Sequence, residues 1–195
     1  VSSELSRREL LAAFAATSGA FMLPTPAQAT EAVRTASAAR TAMGTFAPKI
    51  YTAHEYATVK VLVDYIFPKD ARGGSATEAG VPDFMDTFLE MEAGMRVAHR
   101  GGLAWLDAEM RRRFAKDFVT ASDAERRQVL DDIAYPKRAK PEHSHGVAWF
   151  NSFRDFTASG YWTSEVGITD LGYQGNVPVP EWTGCSAEAY RRAAL

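Results

Sequence analysis

Cysteine is nearly absent: the 195 residues contain one, Cys185. A lone thiol cannot close an internal disulfide. It also excludes a CxxCH haem attachment, a zinc finger and a cysteine-ligated iron–sulfur cluster, so a redox cofactor working with this chain is expected to come from elsewhere. Long apolar runs are missing too. Beyond the N-terminal segment, nothing approaches the ~18 apolar residues of a membrane-spanning helix. Neither charge sign dominates: the formal net charge is −2, which gives no global attraction to nucleic acid or an anionic membrane. There is no GxGxxG. Gly73-Gly74 and Gly101-Gly102 neither follow a strand-like run nor precede Lys-Ser or Lys-Thr, so both read as turns rather than phosphate loops. No internal repeat and no sustained period-2 alternation is found, which argues against sheet.

What is present is ordinary for a soluble globular protein: 46% hydrophobic and 24% charged residues, in a chain long enough for one domain with a real core. Its first 29 residues differ in character. Ser6-Arg7-Arg8-Glu9-Leu10-Leu11 has the twin-arginine pattern of a polar residue, two arginines, any residue and then apolar residues. A weakly hydrophobic stretch follows from Leu10 to Leu23, and Pro24 and Pro26 should break any helix there. Ala27-Gln28-Ala29 then offers small residues where a signal peptidase reads. Residues 1–29 are therefore read as an export signal of the route that carries folded proteins. The competing reading is an amphipathic helix with two chance arginines. Residues 30–50, rich in Ala, Thr and Ser, read as a linker or extended arm.

Residues 51–195 carry helical spacing, and an all-α fold of about five helices with a long irregular C-terminal segment is expected. Thr52-Ala53-His54-Glu55 fits a capping box, followed by Tyr56, Val59, Leu62, Val63 and Ile66 on one face until Pro68. After a loop over 68–80, Pro82 opens a second helix with Phe84, Met85, Phe88 and Leu89 inward. Gly101-Gly102 is expected to break the chain before a third helix with Leu103, Leu106, Met110 and Phe114 on one side. Ser122-Asp123-Ala124-Glu125 caps a fourth, with Val129, Leu130 and Ile133 inward, and Pro136 stops it. Val147, Trp149, Phe150, Phe153 and Phe156 mark a fifth, which fades after Gly160; a short helix near Ser186–Arg192 closes the chain.

Candidate chemistry is sparse. His143 and His145 lie two apart and could take a metal with Glu142 or the Cys185 thiolate, although a solvated polar loop explains them as well. Arg111, Arg112 and Arg113, with Arg100 and Lys116, form a basic group that reads as a solvated helix face or one side of a protein interface. Tyr161, Trp162, Tyr173 and Trp182 fall in a glycine-rich stretch. Trp and Tyr bury large areas with few rotors, so these four are the expected partner contacts, against the alternative that they fold back over the helices. Cys185 in an oxidising compartment is either buried and inert or bonded to another chain.

Several segments together resemble the small-subunit (subunit 3) family of gluconate 2-dehydrogenase. They are the twin-arginine segment; Val63-Asp64-Tyr65-Ile66-Phe67-Pro68-Lys69-Asp70; Gly74-Ser75-Ala76-Thr77-Glu78-Ala79-Gly80-Val81-Pro82-Asp83-Phe84; and Gly160-Tyr161-Trp162-Thr163-Ser164-Glu165-Val166-Gly167, with Leu171-Gly172-Tyr173-Gln174-Gly175-Asn176 and Gly184-Cys185. The resemblance implies a subunit of a periplasmic sugar or sugar-acid dehydrogenase. In such complexes a large flavoprotein of the glucose–methanol–choline type holds FAD and oxidises the substrate, and in many a cytochrome c subunit, with haem c, takes the electrons. The small subunit uses the twin-arginine export machinery and escorts the folded flavoprotein. On this expectation the chain itself has no catalytic residues, cofactor or metal, and binds no nucleic acid. Two alternatives stand beside it: an independent periplasmic metal-dependent enzyme using His143 and His145, and a helical interaction protein unrelated to dehydrogenases.

Overall fold

The structure, a computed structural model, describes residues 23–173, 175, 181 and 184–193. Among these residues it is all-α, with eight helices and no strand. They are α1 (Pro26–Met43), α2 (Ala53–Ile66), α3 (Val81–Met91), α4 (Ala93–Phe114), α5 (Asp123–Ala134), α6 (Ser144–Thr163), α7 (Glu165–Leu171) and α8 (Ala187–Ala193); a single 3-10 turn, Pro141–His143, leads into α6.

The capping signals act as their chemistry requires. Thr52 and Ser122 each accept from the amide three residues on, Glu55 and Glu125 reach back, and α2 and α5 begin there. Three expectations differ from the structure. First, residues 30–50 are not an extended arm: most of them lie in α1. Pro24 and Pro26 do not prevent this helix, because Pro26 sits in its first turn, where a missing N–H costs nothing, and Thr25 with Gln28 completes a capping box. Small side chains gave little periodic signal, yet Ala29, Ala32 and Ala36 make the buried stripe. Second, α4 runs through Gly101-Gly102 without a break. Gly102 persists because a Cβ there would come within 1.9 Å of the Trp149 indole; Gly146 is matched in the same way to Trp105, at 2.2 Å. The α4–α6 crossing is thus two reciprocal glycine–tryptophan contacts, in which close backbone approach outweighs helix propensity. Third, the helical pattern does not dissolve after Gly160: α6 continues to Thr163, and α7 follows directly.

The core is organised around α6, which packs against α1 through α5 and against α7. Phe84, Phe88, Phe153 and Phe156 lie fully buried at its centre, and the rings of Phe84, Phe88 and Phe156 pack with centroids 5.3–6.0 Å apart. Every residue of α3 from Val81 to Leu89 is buried. α1 lies antiparallel across it: Gln28 bonds Glu92 past the end of α3, and Arg40 reaches Asp83 at its start. Buried carboxylates are all engaged. Asp83 accepts from Arg40 and from the Tyr56 hydroxyl. Asp86 gathers the amides of Lys49, Ile50 and Tyr51 at 2.8–3.0 Å, fixing the turn between α1 and α2.

Candidate partner-contact corner

Three sequence segments far apart in the chain meet at one corner. The end of α2 and its following loop supply Phe67, whose ring stacks on Tyr161 at 4.3 Å and 7° and meets Trp162 edge-on at 5.5 Å. The loop over 68–80 is held by its own acids. Asp70 accepts from the amides of Arg72 and Gly73, Asp64 from Thr77 N, and Glu78 from Ser75 N and Lys69. Tyr161 ties loop to helix by donating to the Gly74 carbonyl at 3.0 Å, and Phe67 O accepts from Ala76 N at 2.9 Å. On the far side Ser164 caps α7 through Gly167 N, and Gly167 is required because a Cβ would fall 2.0 Å from the Tyr161 carbonyl oxygen. Arg72 spans from the loop to Asp170 at 3.8 Å and to its carbonyl oxygen at 3.2 Å. The corner is thus a cross-braced platform.

Apolar surface is concentrated there. Trp162 (40% exposed), Ile168 (39%), Leu171 (61%) and Tyr173 (54%) all fall within twelve consecutive residues. Leu23, Met43, Met91, Val97, Tyr135 and Tyr190 are exposed elsewhere along the chain, as scattered apolar residues on a soluble surface normally are. The family described as gluconate 2-dehydrogenase subunit 3 matches residues 53–180, a span that holds α2 through α7 and all of this corner.

The chain belongs to the gluconate 2-dehydrogenase subunit 3 family. Membership makes it a subunit within a dehydrogenase complex. No curated protein and no solved structure matches it. The family span begins at residue 53, so α1 is covered by the fold but not by the family match.

The expected contact residues divide. Tyr161 is not a surface anchor: it is 3% exposed, stacked on Phe67, because its position on α6 faces the loop rather than solvent. Trp162 and Tyr173 are exposed, while Trp182 lies outside the described residues. Arg7 and Arg8 also lie outside them. Cys185 is a free cysteine, exposed in this chain. Ile168 and Leu171 were missed because α7 was not expected; Ser164 at its start and Gly172 at its end, in left-handed conformation, frame it by the usual cap chemistry.

Each member of the basic group is paired with a carboxylate. Arg111 faces Asp107, Arg112 and Arg113 clasp Glu109, Arg113 also reaches Asp132 at 2.6 Å, Arg100 pairs with Glu55 and Lys116 with Glu125. The Arg112 guanidinium, helped by Arg113, holds the Glu109 carboxyl at about 2 against the opposing effect of burial. His143 and His145 do not converge: His143 is buried, its Nε2 3.1 Å from Arg113 Nη2, and His145 is exposed. Among the described residues no group of three or more His, Cys, Asp or Glu is arranged to hold a metal ion. The described residues also form open clefts, of which two contain polar groups of note. One, of about 430 Å³, is lined by Val61, Asp64, Tyr65, Pro68, Asp123 and Arg127; Asp123 ties off its polar groups by accepting from Tyr65 and Arg127. The other, of about 250 Å³, contains His54 paired with Asp107. The Thr58 hydroxyl in that cleft donates to the His54 carbonyl at 3.0 Å, so it is engaged in the helix rather than set against the imidazole.

Proposed function

We propose that the chain is the non-catalytic small subunit of a periplasmic FAD-dependent sugar or sugar-acid dehydrogenase, in which it steadies the large flavoprotein and brings it through twin-arginine export. The observation that carries this reading is the braced corner with its concentrated apolar surface, which lies within the span the family matches, on a chain that carries Arg7-Arg8 in the twin-arginine pattern. The flavoprotein, of the glucose–methanol–choline type, supplies FAD and the oxidation step; in many such complexes a cytochrome c subunit accepts the electrons. This chain contributes association. Trp162, Ile168, Leu171 and Tyr173 lose water against the flavoprotein, and the bound state stabilises the partner's fold by mass action. Because the twin-arginine route moves folded proteins, a partner bound before export crosses with the subunit.

Replacing Arg7 and Arg8 together by Lys is expected to strand both this chain and flavin-dependent sugar oxidation in the cytoplasm. A flavoprotein that still reaches the periplasm in that strain refutes the escort role. Native purification should yield flavin absorbance and a copurifying chain of oxidoreductase size. A colourless lone chain with bound metal would favour the independent-enzyme alternative.

A further inference from the structure

α1 bears on the fate of the signal segment, an inference that rests on the export reading above. In the small-residue triplet Ala27-Gln28-Ala29, a signal peptidase would add water across the Ala29–Thr30 bond, leaving a carboxylate on Ala29 and an amine on Thr30. The structure sets that bond inside a capped, packed helix. Thr25 Oγ1 accepts from Gln28 N at 3.3 Å, and Gln28 Oε1 accepts from Thr25 N at 3.0 Å. Gln28 Nε2 donates to Glu92 Oε1 at 3.0 Å, tying the first turn to the end of α3. Ala29 N donates to Thr25 O at 2.9 Å, and the Thr30 hydroxyl donates to Pro26 O at 2.8 Å. Ala29 is 2% exposed and Ala32 0%.

We propose that α1 shields the Ala29–Thr30 bond in the folded protein, so that the N-terminal segment stays attached to the working subunit. A peptidase takes its substrate extended. Access requires the first turns of α1 to unwind, which breaks the cap and the Gln28–Glu92 tie and lifts Ala29 and Ala32 from the core. Cleavage then tracks the population of that opened state. The export route gives the shield its opportunity: a chain that crosses folded meets the peptidase with α1 already seated, whereas a chain threaded unfolded would not.

The test has two parts. The N-terminal sequence of the subunit in its native complex is expected to begin upstream of Thr25; a chain beginning at Thr30 overturns the proposal. In detergent micelles with purified signal peptidase, the full folded chain is compared with a peptide spanning residues 20–36. The Ala29–Thr30 bond is expected to be cut at least about tenfold more slowly in the folded chain. Equal rates overturn the proposal, as does a peptide that is not cut. The variant Thr25→Ala/Gln28→Ala, which leaves Ala27 and Ala29 in place, should raise the folded-chain rate several-fold while its circular-dichroism melt shows the domain intact; an unchanged rate overturns shielding by the capped turn. These rates are independent of any flavoprotein, so their failure is distinct from failure of the escort role.

Discussion

Gly101 and Gly102 are adjacent in α4 and have opposite surroundings. A Cβ at Gly101 meets nothing within 4 Å, whereas one at Gly102 drives into the Trp149 indole. Gly101→Ala is therefore expected to stabilise the fold by about 0.5–1 kcal/mol through helix propensity, and Gly102→Ala to destabilise it by about 1–3 kcal/mol or more through overpacking. Urea melts of the two variants check both signs. Gly146→Ala should cost less than Gly102→Ala, because its neighbour Trp105 is only partly buried and has room to turn. His99 makes a second residue-scale prediction. It is fully buried beside Phe153 and Phe156, with the Tyr51 hydroxyl 2.7 Å from Nε2, and burial pushes its pKa down to about 3. Below the ordinary histidine value near 6.5, the unfolded chain takes a proton that the folded chain refuses. Stability should then fall by about 2 kcal/mol between pH 7 and pH 5 from this residue alone. His99→Gln should flatten that slope in denaturant titrations at the two pH values, whatever it does to stability at pH 7. Glu109 acts in a lower window: held at about 2 in the folded state, it contributes stability that is lost as pH drops from about 4.5 toward 2.

At the scale of elements, α1 and α7 show where sequence patterning stops being informative. Helices α2, α3, α5 and the body of α6 are legible because large apolar side chains recur at helical spacing, with capping boxes marking the starts of α2 and α5 and a proline in the first turn marking that of α3. α1 was not, because alanine is both its buried and its neutral residue, so the packed stripe has no contrast with the rest. α7 is a single short helix whose reason to exist is tertiary: Gly167 fits over the end of α6, and Ser164 turns the chain there. The corner was half legible. Its segments stood out as motifs, but only packing shows that Phe67, Gly74 and Tyr161 are neighbours and that Tyr161 points inward. Arg40, on α1, should matter beyond its exposure. Arg40→Ala removes two donors from the buried Asp83 carboxylate and leaves it with Tyr56, a loss of about 1–3 kcal/mol, toward the lower end because Arg40 itself is partly exposed. At the corner, Trp162→Ala/Leu171→Ala is expected to weaken flavoprotein binding by about 2 kcal/mol or more, some thirtyfold, beyond the drop in the thermal melt that losing the Trp162 contact with Phe67 brings. Isothermal titration against the purified flavoprotein gives the comparison, and unchanged affinity would place the contact elsewhere.

For the molecule as a whole, a central α6 surrounded by α1 through α5 and α7 leaves few faces free, and the charged ones are self-neutralised through pairs such as Arg113 with Glu109 and Asp132. Against that paired charge, the apolar corner is the distinctive surface of the described residues. The four tryptophans divide along the same lines. Trp149 is locked against Gly102 with its indole N–H on the His99 carbonyl, Trp105 packs over Gly146, and Trp162 stands at the corner with 40% of its surface in water. With Trp182 replaced by Phe, the chain therefore carries its own optical assay. Emission from Trp149 should be blue-shifted and resist acrylamide, reporting on the core, and that from the partly buried Trp105 should be intermediate, while the quenchable, red-shifted component from Trp162 should vanish as a partner docks.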